Sequence, residues 1–199
     1  MEKFTKLTAR AVPLPLNDVD TDMILPAQFL TSTSREGFGE KLFRRLRDTD
    51  ASFPLNQEKF SDGQILIGGR NFGCGSSREH AVWAIAGGGF KAVIAKSFAD
   101  IFYNNSAKNG LLLVTLADAV IDRVLADAHS GQYEVTVDLE KQTVNLPDGS
   151  AFSFDYDPFR KHCMLNGLDD IDYILSHKSK IDQFRRQQDN NRFFSTLGN

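Results

Sequence analysis

The sequence predicts an α/β protein with a mixed, partly parallel sheet flanked by helices. Two patterns carry that prediction. From residue 64 to 130, buried strand-like runs alternate with helical ones, as in parallel strands joined by helices. From Tyr133 onward, short runs alternate apolar and polar residues between turn signals, as in antiparallel hairpins. At 199 residues with 41% hydrophobic content, the chain is long enough to bury a real core.

Residues 4 to 16 mix apolar and basic side chains and carry Pro13 and Pro15, which reads as a strand running into an extended segment. Asp18, Asp20 and Asp22 then alternate as in a calcium loop. A loop started at Asp18 would want Gly at 23 and Glu at 29, and finds Met23 and Phe29. Two readings stay open: an Asx-rich turn capping a short helix, or a carboxylate presented on a loop. Phe29 to Gly39 is polar, with Arg35 as its only cation, and reads as an exposed, mobile loop. Residues 40 to 47 read as a short amphipathic helix whose cations Lys41, Arg44, Arg45 and Arg47 form a solvated face, with a partner contact as the lesser reading. Residues 48 to 63, with Pro54, read as a connecting loop.

Gln64 to Gly69 is a strand-like run, and it leads to the stretch Asn71-Phe72-Gly73-Cys74-Gly75-Ser76-Ser77-Arg78-Glu79-His80. Gly73 and Gly75 permit a tight turn and a close approach to a ligand. Ser76, Ser77 and Arg78 fall at the start of a helix over Ala81 to Ala86. There, free N–H groups and the helix dipole favour an anion, and a guanidinium suits a carboxylate or phosphate. An anion site with Ser76 or Ser77 as nucleophile or base is one reading; a capping Ser beside a solvated Arg is the other. Gly87-Gly88-Gly89 stops the helix. Lys91 to Ala95 is a buried strand. Ser97 reads as the cap of a helix closed by Asn109-Gly110. Leu111 to Leu116 is a strand, and Asp118 to His129 an amphipathic helix. Tyr133 to Leu139, Gln142 to Leu146 and Ala151 to Phe154 are hairpin strands. Residues 157 to 165 form a helix with Pro158 in its first turn and Asn166-Gly167 at its end. Cys163 reads as core and His162 as exposed. A second helix follows from about Asp169, running to Gln187, or to His177 with a break around Lys178-Ser179, and residues 188 to 199 read as a frayed polar end.

Composition excludes several classes of function. A net charge of -3 does not suit nucleic acid or an anionic membrane. No apolar run approaches the roughly 20 residues that span a bilayer, and Met1 to Lys6 lacks a signal-peptide core, so a cytoplasmic location is expected. Two cysteines, Cys74 and Cys163, are too few for an iron–sulfur cluster. The four histidines show no zinc-type spacing with them, so no metal is expected on this chain.

Several motifs resemble a known family. Gly75 to Ala81, Val93 to Phe102 and Asn109 to Leu112 resemble the swivel domain of the aconitase superfamily. More narrowly, Val19-Asp20-Thr21-Asp22, Pro26, Phe29-Leu30, Arg35, Gly37-Phe38-Gly39, Leu42-Phe43, Asn71 to Cys74 and Phe159 to Asp169 resemble the family of small subunits of bacterial 3-isopropylmalate dehydratase. The resemblance implies a swivelling β/β/α domain over residues 1 to 199, with a helical extension from about 169. It implies a hydro-lyase that isomerises 2-isopropylmalate to 3-isopropylmalate through isopropylmaleate in leucine biosynthesis. A large partner subunit would carry a [4Fe–4S] cluster, and the substrate would be a small dicarboxylate. Carried over by position, Ser76 would be the base. Arg78 would clamp a carboxylate, with Ser77, Arg35 and the Gly75 backbone as further contacts. Asp22 would orient or protonate a partner group. Glu36 stands where the family usually has Thr. A related C5–C6 diacid, such as citramalate or a dimethylmalate, therefore stays open as substrate, as does a non-catalytic binding module with this fold.

Overall fold

The computed structural model describes residues 1–30, 36–76 and 78–196, with side chains to 189. Among them, seven strands form one sheet in the order β4-β3-β2-β1-β5-β6-β7. The strands are β1 (Lys6–Pro13), β2 (Ile65–Ile67), β3 (Ala92–Ala95), β4 (Leu112–Thr115), β5 (Glu134–Asp138), β6 (Thr143–Asn145) and β7 (Ala151–Ser153). The mixed sheet bears out the predicted fold class.

Strand β1 is the seam. Its first half, Lys6 to Arg10, pairs antiparallel with β5, and its second half, Ala11 to Pro13, pairs parallel with β2. The side chains follow this division. Ala11, Val12 and Pro13 are buried, because a parallel strand is covered on both faces. Thr8 faces outward, and its Oγ1 lies 2.7 Å from Thr136 Oγ1 on the wet face.

Helices α1 (Thr21–Ile24), α2 (Arg44–Thr49), α3 (Glu79–Gly87), α4 (Asp100–Lys108), α5 (Asp118–Asp127) and α6 (Pro158–Asn166) surround the sheet. The period-2 pleat sends neighbouring residues to opposite layers. Ile65 and Ile67 join a core with Ile121 and Val124 of α5. Leu66 joins the other with Val82 and Ile85 of α3 and Phe102 of α4. Cys163 is buried and His162 exposed, as expected. The described chain divides into two compact units, Met1–Gly167 and Leu168–Asn199. The second consists of α7 (Asp170–Ser176), opened by a capping box at Asp169 and Asp172, and α8 (Lys178–Thr196).

Four local expectations need correction. The helix predicted over 40 to 47 is a 3-10 turn, Gly39–Lys41, followed by α2; the buried ring of Phe43 interrupts it with a left-handed backbone at φ +50°. The connecting loop over 48 to 63 contains two 3-10 turns, Pro54–Asn56 and Glu58–Phe60. The loop predicted as exposed from Phe29 to Gly39 begins on the last residue of a 3-10 turn, Ala27–Phe29, and its Phe38 is buried. The polar end is not frayed from residue 188: α8 continues to Thr196, because 178 to 196 has neither Gly nor Pro to stop it. The first of the two helices ends at His177, as the shorter of the two predicted readings has it.

Candidate active site

The candidate site lies beyond the carboxyl ends of β1, β2 and β3, where open α/β sheets present loops to ligands. Three loops lie side by side there. The 69–76 loop after β2 runs between the 16–21 segment after β1 and the 96–99 segment after β3. On one side, Gly73 N donates to Val19 O at 2.7 Å and Thr21 N donates to Cys74 O at 2.8 Å. On the other, Phe72 N donates to Ser97 O and Ala99 N to Phe72 O, both at 3.0 Å. These bonds act as short parallel bridges, Asp20 to Cys74 and Phe72 to Phe98. They hold an otherwise irregular loop in place.

Side chains complete the bracing. Asn71 takes a left-handed backbone at φ +55°, its N–H donates to Ser97 Oγ at 2.8 Å, and its Nδ2 donates to Asp18 Oδ1 at 2.7 Å. Ser97 is therefore not the cap of α4; Ala99 holds that position without a capping side chain. Gly73, at φ +77°, is a glycine because a Cβ there would meet Phe102 Cγ at 2.1 Å. Its close approach is to a ring of the core rather than to a ligand. Gly75, at φ +90°, keeps a backbone that a side-chain-bearing residue rarely adopts, and leads to exposed Ser76.

Arg78, not a serine, occupies the N-cap position of α3, and its side chain makes no capping bond. Its Nη1 instead donates to Asp22 Oδ1 at 2.9 Å, so it is not the freely solvated Arg of the alternative reading. Asp20 caps α1 by accepting from Met23 N at 2.7 Å. The Asx-turn reading is therefore right for Asp20, while Asp22 is the presented carboxylate. Ala27 N also donates to Asp22 Oδ1, at 2.9 Å, and Arg45 Nη1 donates to Oδ2 at 3.2 Å. The hydrogen bond from Arg78 first, then that from Ala27, and the charge of both arginines hold the Asp22 carboxyl below its ordinary value against the opposing effect of burial. Buried Thr21 joins the second motif to the first: its Oγ1 donates to Ser76 O at 2.9 Å. Two motifs far apart in sequence thus meet at one point, Thr21-Asp22 against Ser76 and Arg78.

Comparison with known proteins gives the family of the chain. The model described as Aconitase C-terminal domain matches residues 1–119, and one described as LeuD_N matches residues 122–158. A protein of Francisella philomiragia named 3-isopropylmalate dehydratase small subunit is 53% identical over 188 residues, covering 94% of this chain and 99% of that protein. The chain belongs to this small-subunit family. A Dinoroseobacter shibae protein of the same name is 52% identical over 193 residues, covering 94% of this chain and 96% of that protein. The crystal structure of a 3-isopropylmalate dehydratase from Methanocaldococcus jannaschii superimposes with a TM-score of 0.67 at 30% identity, covering 91% of this chain and 99% of that one.

Of the residues expected in the site, Ser76, Gly75, Arg78 and Asp22 come together, while Arg35 and Ser77 lie outside the described residues. Sequence reasoning missed Thr21 and Arg45. Thr21 sits inside the motif already noted for Asp22, and Arg45 was hidden among the cations of its helix. The donor set on this family member does not fit an iron–sulfur cluster. Cys74 lies in the 69–76 loop and Cys163 is buried in α6. Burial, Asp20 and Asp18 push the Cys74 thiol up, away from the thiolate a metal needs. Among the described residues, no group of three or more His, Cys, Asp or Glu is placed to hold a metal ion. No helix among them is long and apolar enough to cross a membrane.

Proposed function

We propose that this chain is the small, substrate-binding half of a cytoplasmic hydro-lyase of leucine biosynthesis. The enzyme removes water from 2-isopropylmalate to give isopropylmaleate and adds it back to give 3-isopropylmalate. The meeting of Arg78 with Asp22, beside Ser76, carries this reading. Arg78 holds a carboxylate of the substrate: its guanidinium has five N–H donors, and Asp22 engages only one nitrogen. Arg35 and Ser77 supply further contacts. Ser76 removes the proton alpha to a carboxylate and returns it in the reverse step. A serine hydroxyl is a poor base until its alkoxide is stabilised. The N-terminus of α3, three residues on, supplies positive potential for that. Asp22 is held ionised by Arg78, so its part is to orient Arg78 rather than to donate a proton.

Half of the chemistry lies elsewhere. A large partner subunit holds the [4Fe–4S] cluster, which supplies a Lewis acid for the departing hydroxyl when bound. Purifying this chain anaerobically with and without a cluster-bearing large subunit, and following alkene absorbance on adding 2-isopropylmalate, tests the reading. Turnover is expected from the pair alone; turnover by the isolated chain would overturn the two-subunit reading. Ser76→Ala should abolish turnover while leaving the two subunits associated on a sizing column. Retained turnover would remove Ser76 as base. Glu36, exposed next to Arg35, makes citramalate and dimethylmalate the competitors to run beside 2-isopropylmalate. A preference for either would reassign the substrate and keep the chemistry.

A further inference from the structure

The arginines of α2 separate in the folded chain. Arg44 Nε donates to Asp48 Oδ2 at 2.9 Å within the helix, and Arg47 Nε donates to Asn56 Oδ1 at 3.1 Å. Arg45 turns the other way and donates from Nη1 to Asp22 Oδ2 at 3.2 Å. The two oxygens of Asp22 are thus held separately: Oδ1 by Arg78 and the Ala27 N–H, Oδ2 by Arg45. A carboxylate held at both oxygens does not turn about its Cβ–Cγ bond.

A strained residue aims α2 at this point. Phe43 precedes the helix with φ +50°, a backbone disfavoured for a bulky side chain. Its ring is fully buried, 5.8 Å from that of Phe53, and its N–H donates to Ile24 O at 2.8 Å. That bond ties the start of α2 to the end of α1, and Arg45, two residues on, comes to face Asp22. Such strain persists only where its surroundings enforce it, and it collects near functional sites.

We propose that Arg45 is a positioning residue for the Arg78 clamp: through Asp22 it fixes the orientation in which Arg78 meets the carboxylate of a dicarboxylate substrate. The inference rests on the reading of Arg78 as that clamp, and it has two tests. In the reconstituted two-subunit enzyme, Arg45→Gln should raise KM about three- to fivefold with kcat within about twofold, the scale of one partly exposed ion pair. Arg44→Gln, an equally polar change on the same helix, should alter neither. Arg45→Lys should recover most of the loss, since a one-nitrogen contact needs only a cation at that place. In the isolated full-length chain, carboxyl NMR should show the Asp22 titration moving to higher pH in Arg45→Gln and in Arg78→Gln, and unmoved in Arg44→Gln. Equal KM values for Arg45→Gln and Arg44→Gln, or an unmoved Asp22 titration, would overturn the proposal. If the wild-type pair fails to turn over 2-isopropylmalate, the substrate assignment falls and the NMR titration alone decides the role of Arg45.

Discussion

Arg78 and Asp22, 56 positions apart in the chain, form a 2.9 Å ion pair with each side chain about a quarter to a third exposed. The pair joins the loop after β2 to the first turn after β1. It sets the guanidinium in place before any ligand arrives, which lowers the ordering cost of binding one.

Removing the charge of Asp22 should therefore misplace Arg78. Asp22→Asn is expected to lower kcat/KM by on the order of ten- to a hundredfold, the usual effect of displacing a substrate-holding group by about an ångström. The carboxyl is held below its ordinary value, so the pair's contribution is present above the unfolded value of about 4 and is lost as pH falls through the folded value. A pH–rate profile of the wild type should accordingly show no Asp22 limb between about pH 5 and 8, and Asp22→Asn should lower the curve evenly across that range.

Gly73 makes a prediction about stability. Gly73→Ala places a Cβ 2.1 Å from Phe102 Cγ at a backbone φ of +77°. Overpacking and left-handed strain together should destabilise by about 2–4 kcal/mol in denaturant unfolding. Because Phe102 is the obstacle, adding Phe102→Ala should give a double mutant less destabilised than the sum of the two single changes. Strict additivity would show that the ring does not dictate the glycine.

Tyr156 predicts the alkaline behaviour. Burial, first, pushes its phenol far above the ordinary value, and its hydroxyl donates to Met164 Sδ at 3.0 Å. A raised phenol contributes stability that is full below the unfolded value of about 10 and is lost as pH rises. Tyr156→Phe should cost about 0.5–1.5 kcal/mol at neutral pH and should flatten the decline in melting temperature above about pH 10. An unchanged alkaline slope would place the loss in other groups.

Much of this molecule is legible one segment at a time. The alternation from 64 to 130 was readable because a strand buried on both faces is a continuous apolar run, as in Ile65-Leu66-Ile67. The hairpin strands were readable because one face of β5 is wet, so Glu134 and Thr136 alternate with buried Val135 and Val137. Ends set by backbone sterics were readable too. Gly167 takes the left-handed conformation at the end of α6, and Gly110 takes it after α4. The chemistry of the 71–80 stretch was visible because Ser76 and Arg78 are near neighbours in the chain.

The sequence by itself therefore determined which segments are strands and helices and which loop bears hydroxyls and a guanidinium, since periodicity and turn chemistry act between close neighbours. Only the tertiary structure decided who meets whom. It made β1 the seam between the parallel and antiparallel halves of the sheet, turned Ser97 from a helix cap into an acceptor for the Asn71 N–H, and chose Arg45 out of the cations of α2 to face Asp22. These choices depend on where loops close across dozens of residues, and residue spacing along the chain carries no record of that closure.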